Sequence, residues 1–291
     1  MSDASGPGFV EVADRVHVLR HPSVDVNVTL VVGDGAALVV DTLSTPAQAR
    51  AMESLARRII GTAPWTIVNT HHHFDHCFGN AALAASSGAP IWAHEAAIAA
   101  MDVPGRARAA AEGYAPVDPA LARELADVEL LLPTDVVRDA STLDIGGREV
   151  ALLFLGRGHT AGDLVVHVPD ADALVVGDLV EESGPPAFDD AFPFEWPATL
   201  DAILRLCGAD TVVVPGHGRP VGPGFVLGQR EEQAALAEWI RDAYAAAVSA
   251  ESAALAAPFG ATATLPAVRR GYAELSAPPG SSTSNTTLPR P

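Results

Sequence analysis

The stretch that decides the fold is Thr70-His71-His72-His73-Phe74-Asp75-His76, which follows directly on the apolar run at residues 65–68. Side chains alternate in an extended segment, so the first and third histidines point to one side, and a turn after them returns the aspartate and the last histidine toward a second point. Imidazoles and a carboxylate are ligands of zinc and similar divalent ions, and two groups of ligands suit two ions. A tag-like histidine tract is the alternative, but such tracts lack an interleaved aspartate after an apolar strand.

Three later stretches repeat this arrangement of an apolar run with a residue of ligand type close by. They are residues 158–163, which contain His159, residues 175–178, which end on Asp178, and residues 212–218, which contain His217. With the first stretch, they give four places at which a candidate metal ligand stands beside a strand-like run.

Together the four stretches form the series His-x-His-x-Asp-His, His, Asp, His, in which the chain resembles the metallo-β-lactamase superfamily. The resemblance runs from about Val10 to the helix after Gly222. It implies an α/β (α+β) fold, the αβ/βα four-layer sandwich, in which two mixed β-sheets pack face to face with helices outside. Periodicity alone indicates only mixed α and β structure.

The resemblance also implies which residue holds which ion. His71, His73 and His159 are assigned to one ion, and the other ion falls to Asp75, His76 and His217. Asp178 bridges the two ions, Asp75 is also the catalytic proton shuttle, and a hydroxide shared by the ions is the nucleophile. The expected cofactor is two Zn²⁺ per chain, although iron or manganese would also suit these ligands. Asp41 is expected to orient a ligand from beneath the site, unless it serves only as a strand-end cap.

The function implied is hydrolysis of a small ester, thioester or lactone. The β-lactamases of the family carry Cys or Ser at the bridging position, where this chain has Asp178, which counts against β-lactam (amide) hydrolysis without removing it as an alternative. The quorum-signal lactonases place a tyrosine shortly after the bridging residue, whereas Glu181 and Glu182 stand here. A mononuclear iron enzyme such as a persulfide dioxygenase, and a metal-stabilised binding protein without turnover, are also compatible with the ligand series.

Composition limits partners and compartment. The formal net charge is −18 and all 18 basic residues are arginines, so a Schiff-base lysine is excluded. The acidic balance disfavours nucleic acid and anionic membranes, which leaves a small-molecule substrate as the expected partner and homo-oligomerisation open. Cys77 and Cys207 form no disulfide framework, and no signal peptide or membrane-spanning run is visible. A cytoplasmic protein is the expectation.

The chain order predicts a hydrolase domain at residues 9–275 between disordered segments at 1–8 and 276–291, which are rich in Gly, Ser, Thr and Pro. Residues 103–119 break every periodic pattern with Pro and Gly and are expected to form an irregular insertion that borders the substrate cleft. Helices are predicted at residues 46–60, 79–85, 120–131, 199–206 and 225–247.

Two further features each allow two interpretations. The Pro-rich segment 183–197 carries four aromatic residues, which form either a substrate-facing wall or an anchor to the core; they are Phe188, Phe192, Phe194 and Trp196. Its acidic residues, with Glu181 and Glu182 before it, favour neutral or cationic acyl substrates. His94 stands at a helix start, where a capping role is favoured over a metal or substrate role.

Overall fold

The computed structural model describes residues 8–277. The segments predicted to be disordered, 1–8 and 276–291, lie outside these residues except for positions 8, 276 and 277. The predicted disorder and the boundaries of the hydrolase domain at 9–275 therefore stay predictions.

The first half of the chain forms one mixed sheet. Pairing is antiparallel among the first four strands and parallel among the last four, so that the fourth strand belongs to both groups. The third strand is buried along almost its whole length, as its unbroken apolar sequence requires. The strands are β1 (Val10–Ala13), β2 (Val16–His21), β3 (Val26–Val32), β4 (Ala37–Val40), β5 (Trp65–Val68), β6 (Ile91–His94) and β7 (Asp135–Val137).

The second half forms a second mixed sheet of five strands. Its first three pairings are antiparallel and its last one is parallel. The two sheets are joined only where His217 pairs with Val26, among the residues that the structure describes. The strands are β8 (Ala140–Ile145), β9 (Arg148–Phe154), β10 (Leu164–Val168), β11 (Ala173–Glu181) and β12 (Val212–His217).

Helices lie on the outer faces of both sheets. The segment 103–119 was predicted to be irregular, and this was wrong, because Arg106–Tyr114 is helical. Its Ala, Arg and Glu content favours a helix, and Gly105 and Pro116 only bound it. The helices are α1 (Pro46–Ile60), α2 (Phe74–Cys77), α3 (Asn80–Ser87), α4 (Glu95–Met101), α5 (Arg106–Tyr114), α6 (Pro119–Ala126), α7 (Trp196–Leu204), α8 (Pro223–Ala245), α9 (Ala250–Leu255) and α10 (Ala261–Ser276).

Apolar side chains fill three layers between these elements. Val31 and Leu38 of the first sheet pack in one cluster with strand residues of the second, so the two sheets lie face to face. Met52 of α1 packs on the outer face of the first sheet, and Leu200 of α7 packs on the outer face of the second. The four-layer sandwich of two mixed sheets with helices outside is therefore confirmed.

Two glycines allow the second sheet to present Asp178. Gly177 has φ +53°, and the pairing of β11 with β12 shifts register beside it, which is a bulge that re-aims the next side chain. A Cβ atom on Gly216 would lie 1.8 Å from Oδ1 of Asp178. The carboxylate of Asp178 therefore occupies space that only glycine leaves open on β12.

Candidate metal centre

The first set of donor atoms comes from three histidines on two loops. His71 and His73 follow β5, and His159 lies in the loop between β9 and β10. Nε2 of His159 lies 2.8 Å from Nδ1 of His73, and the rings of His71 and His159 are 4.8 Å apart between centroids. Three imidazole nitrogens thus converge on one point, where a zinc-type ion finds a complete set of nitrogen ligands.

The second set of donor atoms lies beside the first. Asp75 and His76 belong to α2, and His217 ends β12. Nε2 of His217 lies 3.3 Å from Oδ2 of Asp75 and 3.4 Å from Nε2 of His76. The donor atoms of this set lie within 4.8 Å of one another, so they can share one ion.

Asp178 stands between the two sets. Its Oδ2 lies 3.4 Å from Nε2 of His159, which belongs to the first set, and 3.4 Å from Nε2 of His217, which belongs to the second. Its Oδ1 lies 3.1 Å from Nε2 of His76. The structure thus brings all seven predicted ligands together, and their binding of metal stays a prediction.

Backbone carbonyl groups orient two of the histidines. Nδ1 of His159 lies 3.0 Å from the carbonyl oxygen of Ala187, and Nδ1 of His217 lies 2.7 Å from that of Val24. A carbonyl oxygen only accepts, so both Nδ1 atoms donate. When each ring is neutral, its Nε2 lone pair therefore faces the centre, as metal ligation requires.

Asp41 holds two ligand-bearing segments from below. This buried carboxylate accepts a hydrogen bond from the backbone N–H of Thr70 at 2.8 Å, and its Oδ2 lies 2.8 Å from Oγ1 of Thr70 and 2.8 Å from Nδ1 of His76. Oγ1 of Thr70 lies in turn 3.0 Å from Nδ1 of His71. Asp41 itself has φ +68°, a left-handed conformation of the kind held under strain at functional sites. The geometry agrees with a ligand-orienting role and goes beyond a strand-end cap.

Asp190 contacts two histidines of the first stretch, which the sequence did not predict. Its Oδ2 lies 3.0 Å from Nε2 of His73 and 3.3 Å from Nε2 of His72, a buried histidine outside the predicted ligand set. Arg270 of α10 donates hydrogen bonds to the carbonyl oxygens of Asp189, at 3.1 Å, and of Ala191. The C-terminal helix therefore fixes the backbone on both sides of the carboxylate that orients His73.

The electrostatics of the centre call for positive charge. Burial opposes the charge on Asp178, but His76 and His217 outweigh it and hold the pKa of that carboxyl well below its usual range. Burial likewise opposes the charge on His217, but Asp178 and Asp75 raise its pKa to about 10. Nε2 of His71 is buried without a hydrogen-bond partner among the described residues. These residues fit a divalent cation, which would replace the protons that the carboxylates otherwise attract.

Metal binding is accordingly expected to release protons. An ion binds only the deprotonated Nε2 of His217, whose metal-free pKa is about 10, so binding at pH 7 displaces a proton and the observed affinity falls as the pH falls. Titration calorimetry in buffers of different ionisation enthalpy measures this release, and zero release would contradict it. Because this pKa is raised above its ordinary 6.5, the charged histidine stabilises the metal-free fold fully below pH 6.5 and loses that effect as the pH rises through 10.

Two more ionisable groups lie at the centre. Cys77 is buried, which raises the pKa of its thiol and removes it as a nucleophile at neutral pH. Glu181 ends β11, and its carboxylate lies within 4.8 Å of the donor atoms of Asp178 and His217. Burial raises the pKa of Glu181 well above its ordinary value, and the negative charge of Asp178 raises it further. A nearby divalent cation would lower this pKa again.

His94 has the capping role that the sequence favoured. Its Nδ1 accepts a hydrogen bond from the backbone N–H of Ala96 at 3.2 Å at the start of α4, and its Nε2 lies 3.1 Å from the carbonyl oxygen of Arg138. The ring also stacks on Phe154 with centroids 4.0 Å apart. Both ring nitrogens are engaged by the backbone, so the capping prediction is confirmed.

The aromatic residues of segment 183–197 anchor it to the core. Phe188, Phe192 and Trp196 are each at most 3% exposed, and all but Phe192 belong to the cluster behind the second sheet, against which the half-buried Phe194 also packs. Phe192 lies beneath the guanidinium group of Arg157, 4.1 Å from its ring centroid. The interpretation as an aromatic substrate wall is therefore wrong for this segment. The sequence left both interpretations open because an irregular segment has no periodicity that shows which side a ring faces.

Removing one of these rings is expected to affect stability. Phe188→Ala deletes a fully buried ring that contacts Trp196, and such a change costs about 3–5 kcal/mol of the free energy of unfolding. Denaturant unfolding of the metal-free protein measures the loss. Phe225→Ala is the matched control, because that ring is 39% exposed and its removal should cost less than about 1 kcal/mol. Equal free energies of unfolding for the two variants would contradict the buried position of Phe188.

A cavity of ≈ 690 Å³ opens beside the second donor set. The first residues of segment 183–197 line it together with α8. Two phenylalanines that the sequence reasoning did not select contribute its aromatic surface, since nothing in their local sequence indicates a cavity. Its lining includes three glutamates and two phenylalanines, which are Glu181, Glu182, Glu232, Phe225 and Phe259.

Within residues 8–277, no helix combines the length and the apolar character needed to cross a membrane.

Much of the chain is similar in sequence to known proteins. A profile described as the metallo-beta-lactamase superfamily matches residues 22–217. Metallo-beta-lactamase IND-1 of Chryseobacterium indologenes is 31% identical over 96 residues, which are 32% of this chain and 40% of that protein. Hydroxyacylglutathione hydrolase of Brucella anthropi is 26% identical over 209 residues, which are 71% of this chain and 66% of that protein. The chain thus spans less than two thirds of either relative.

Solved structures share the fold at low sequence identity. The sec-alkylsulfatase Pisa1 from Pseudomonas sp. superposes with a TM-score of 0.75 at 18% identity and covers 93% of this chain and 50% of its own. A metallo-beta-lactamase from Pontibacter korlensis superposes with a TM-score of 0.62 at 19% identity and covers 79% of this chain and 99% of its own. These likenesses concern the architecture alone.

Proposed function

The chain belongs to the metallo-beta-lactamase superfamily, and on this premise we propose that it is a dinuclear zinc-dependent hydrolase that cleaves a small ester, thioester or lactone. The two donor sets support two ions, and relatives named as hydrolases support the reaction class. The relative named hydroxyacylglutathione hydrolase supports acyl substrates in particular.

The observation that carries this proposal is the position of Asp178. A single oxygen, Oδ2, lies 3.4 Å from a histidine nitrogen of each set, so this carboxylate is within reach of an ion at either set. Two separate mononuclear sites would not need a common carboxylate. A dinuclear centre does, because neighbouring cations repel each other and a shared negative charge offsets that repulsion.

A pair of divalent ions held by the two donor sets and Asp178 would polarise the scissile carbonyl group and acidify a water molecule. The protein residues supply orientation and proton transfer. Asp41, the backbone carbonyl groups and Asp190 fix the imidazoles, so that little rearrangement accompanies the reaction. Asp75 takes the proton of the attacking water and passes it to the leaving oxygen or sulfur as the acyl bond breaks.

β-Lactam hydrolysis is the second candidate, because relatives named metallo-beta-lactamase match at 24% to 31% identity. The aspartate at position 178 weighs against it, since the resemblance places Cys or Ser at the bridging position of the family's β-lactamases. A panel of esters, thioesters, lactones and β-lactams ranks these reactions directly. We expect acyl esters first and β-lactams weak.

Metal analysis tests the proposal together with the panel. Protein expressed with ample zinc should contain two zinc ions per chain, and fewer than one ion per chain would contradict the dinuclear site. One iron per chain after expression without added metal would favour the mononuclear iron enzyme. Two ions without turnover of any substrate in the panel would favour a binding protein.

A further inference from the structure

The cavity beside the second donor set reaches the metal centre through Glu181. Glu181 lines the cavity, and its carboxylate lies within 4.8 Å of the donor atoms of Asp178 and His217. A substrate whose acyl group lies at the donor sets can therefore extend the rest of its body into the cavity. A volume of ≈ 690 Å³ accommodates a small organic group.

Carboxylates supply the charge of this cavity. Glu181, Glu182 and Glu232 line it, and no lining residue among those described is basic. Glu182 is paired with Arg219 at 2.9 Å. Glu181 is only 9% exposed, and Glu232 is exposed to solvent. A ligand that brings a hydrogen-bond donor or a positive charge would be favoured beside these carboxylates.

Aromatic rings supply the apolar surface. Phe225 of α8 is 39% exposed. Phe259 has φ +68°, a conformation that a bulky residue adopts only where its surroundings impose it, and its ring lies 5.9 Å from that of the buried Phe188. Phenyl faces beside carboxylates are the combination by which proteins recognise organic cations.

From this combination we infer that the cavity binds a cationic part of the substrate, an amine or quaternary ammonium group, while the scissile acyl group lies at the donor sets. This inference rests on the proposed function and names its substrate class. The same cavity disfavours a carboxylate or phosphate group at that position, because such a group would face Glu181 and Glu232.

A matched pair of esters tests the inference in the metal-loaded protein. One is a choline ester, and the other is its neutral carbon isostere, in which a tert-butyl group replaces the trimethylammonium group. We expect kcat/KM to be about tenfold higher for the cation. Glu232→Gln should lower this preference about threefold, whereas Glu231→Gln, which changes a neighbouring exposed residue that does not line the cavity, should leave it unchanged. Equal turnover of the two esters by the wild type would overturn the inference.

Binding of tetramethylammonium, followed by titration calorimetry, separates this inference from the proposed function. Binding that weakens in Glu232→Gln and in Phe225→Leu supports the cavity even where no ester is cleaved, in which case the proposed function fails alone. Esters cleaved without preference, together with no binding of the cation, would leave the hydrolase and remove the cation site. Added salt should weaken the binding, because exposed charges are screened.

Discussion

Asp178→Ala is expected to leave about one metal ion per chain and to lower kcat/KM about a thousandfold or more, as follows from a loss of several kcal/mol of transition-state stabilisation. Each donor set keeps three ligands of its own, and three suffice to hold zinc. What disappears is the shared negative charge. Repulsion between two doubly charged ions is four times that between unit charges at the same distance. Without the shared negative charge, the protein is therefore expected to keep one ion and to lose the other.

Asp178→Asn separates charge from shape. The amide fills the space that Gly216 leaves open but carries no charge, so it should also retain about one ion if charge is the cause. Metal content by elemental analysis, and turnover of the best ester in the panel, measure both effects. Loss of both ions together, or retention of both with normal activity, would contradict the bridging assignment.

Asp41→Ala is expected to destabilise the metal-free protein by about 3–5 kcal/mol, the usual result of removing one partner of a buried charged contact. The backbone N–H and hydroxyl of Thr70 lose their acceptor, as does Nδ1 of His76. The same change should weaken binding of one ion about 10- to 100-fold, because His76 is no longer held in orientation. Denaturant unfolding measures the first effect, and competition with a chelator measures the second.

Asp190→Asn is the matched variant for the first donor set. Asp190 contacts His73, so its loss should weaken the ion held by the first set, while Asp41→Ala should weaken mainly the ion held by the second, because the histidine that Asp41 contacts directly is His76. The two variants should therefore affect different steps of a stepwise metal titration. If both weakened the same step, the division of the ligands into two sets would be wrong.

Local sequence pointed to the seven residues that the structure brings together, because each one stands close to an apolar run. Four donors of the first stretch are neighbours in the chain, and His159, Asp178 and His217 each lie at or near a strand end of the second sheet. Strand order brings these segments together, and the bulge at Gly177 with the space left open by Gly216 then places Asp178 among the other donors. The alternation of apolar residues, with the family resemblance, was sufficient for the layered architecture.

The residues that support the donors could not be predicted in this way. Asp190 meets His73 across 117 positions of chain, and no local pattern marks that contact. Phe225 and Phe259 come to one cavity from a helix and from a loop, so only the packing of the C-terminal helices brings them together. In the segment 103–119 the breakers Gly105 and Pro116 were given more weight than the helix-forming residues between them.

The hold of Arg270 on the backbone around Asp190 has a consequence for biosynthesis. Chains grow from the N-terminus, so all seven donor residues have been synthesised before α10, the last helix that the structure describes. A nascent chain that ends before Arg270 carries all seven donor residues. It lacks the hydrogen bonds from Arg270 that hold the backbone around Asp190, the residue that contacts His73. We therefore expect firm loading of the first ion to be a late event, completed only once the C-terminal helix has docked.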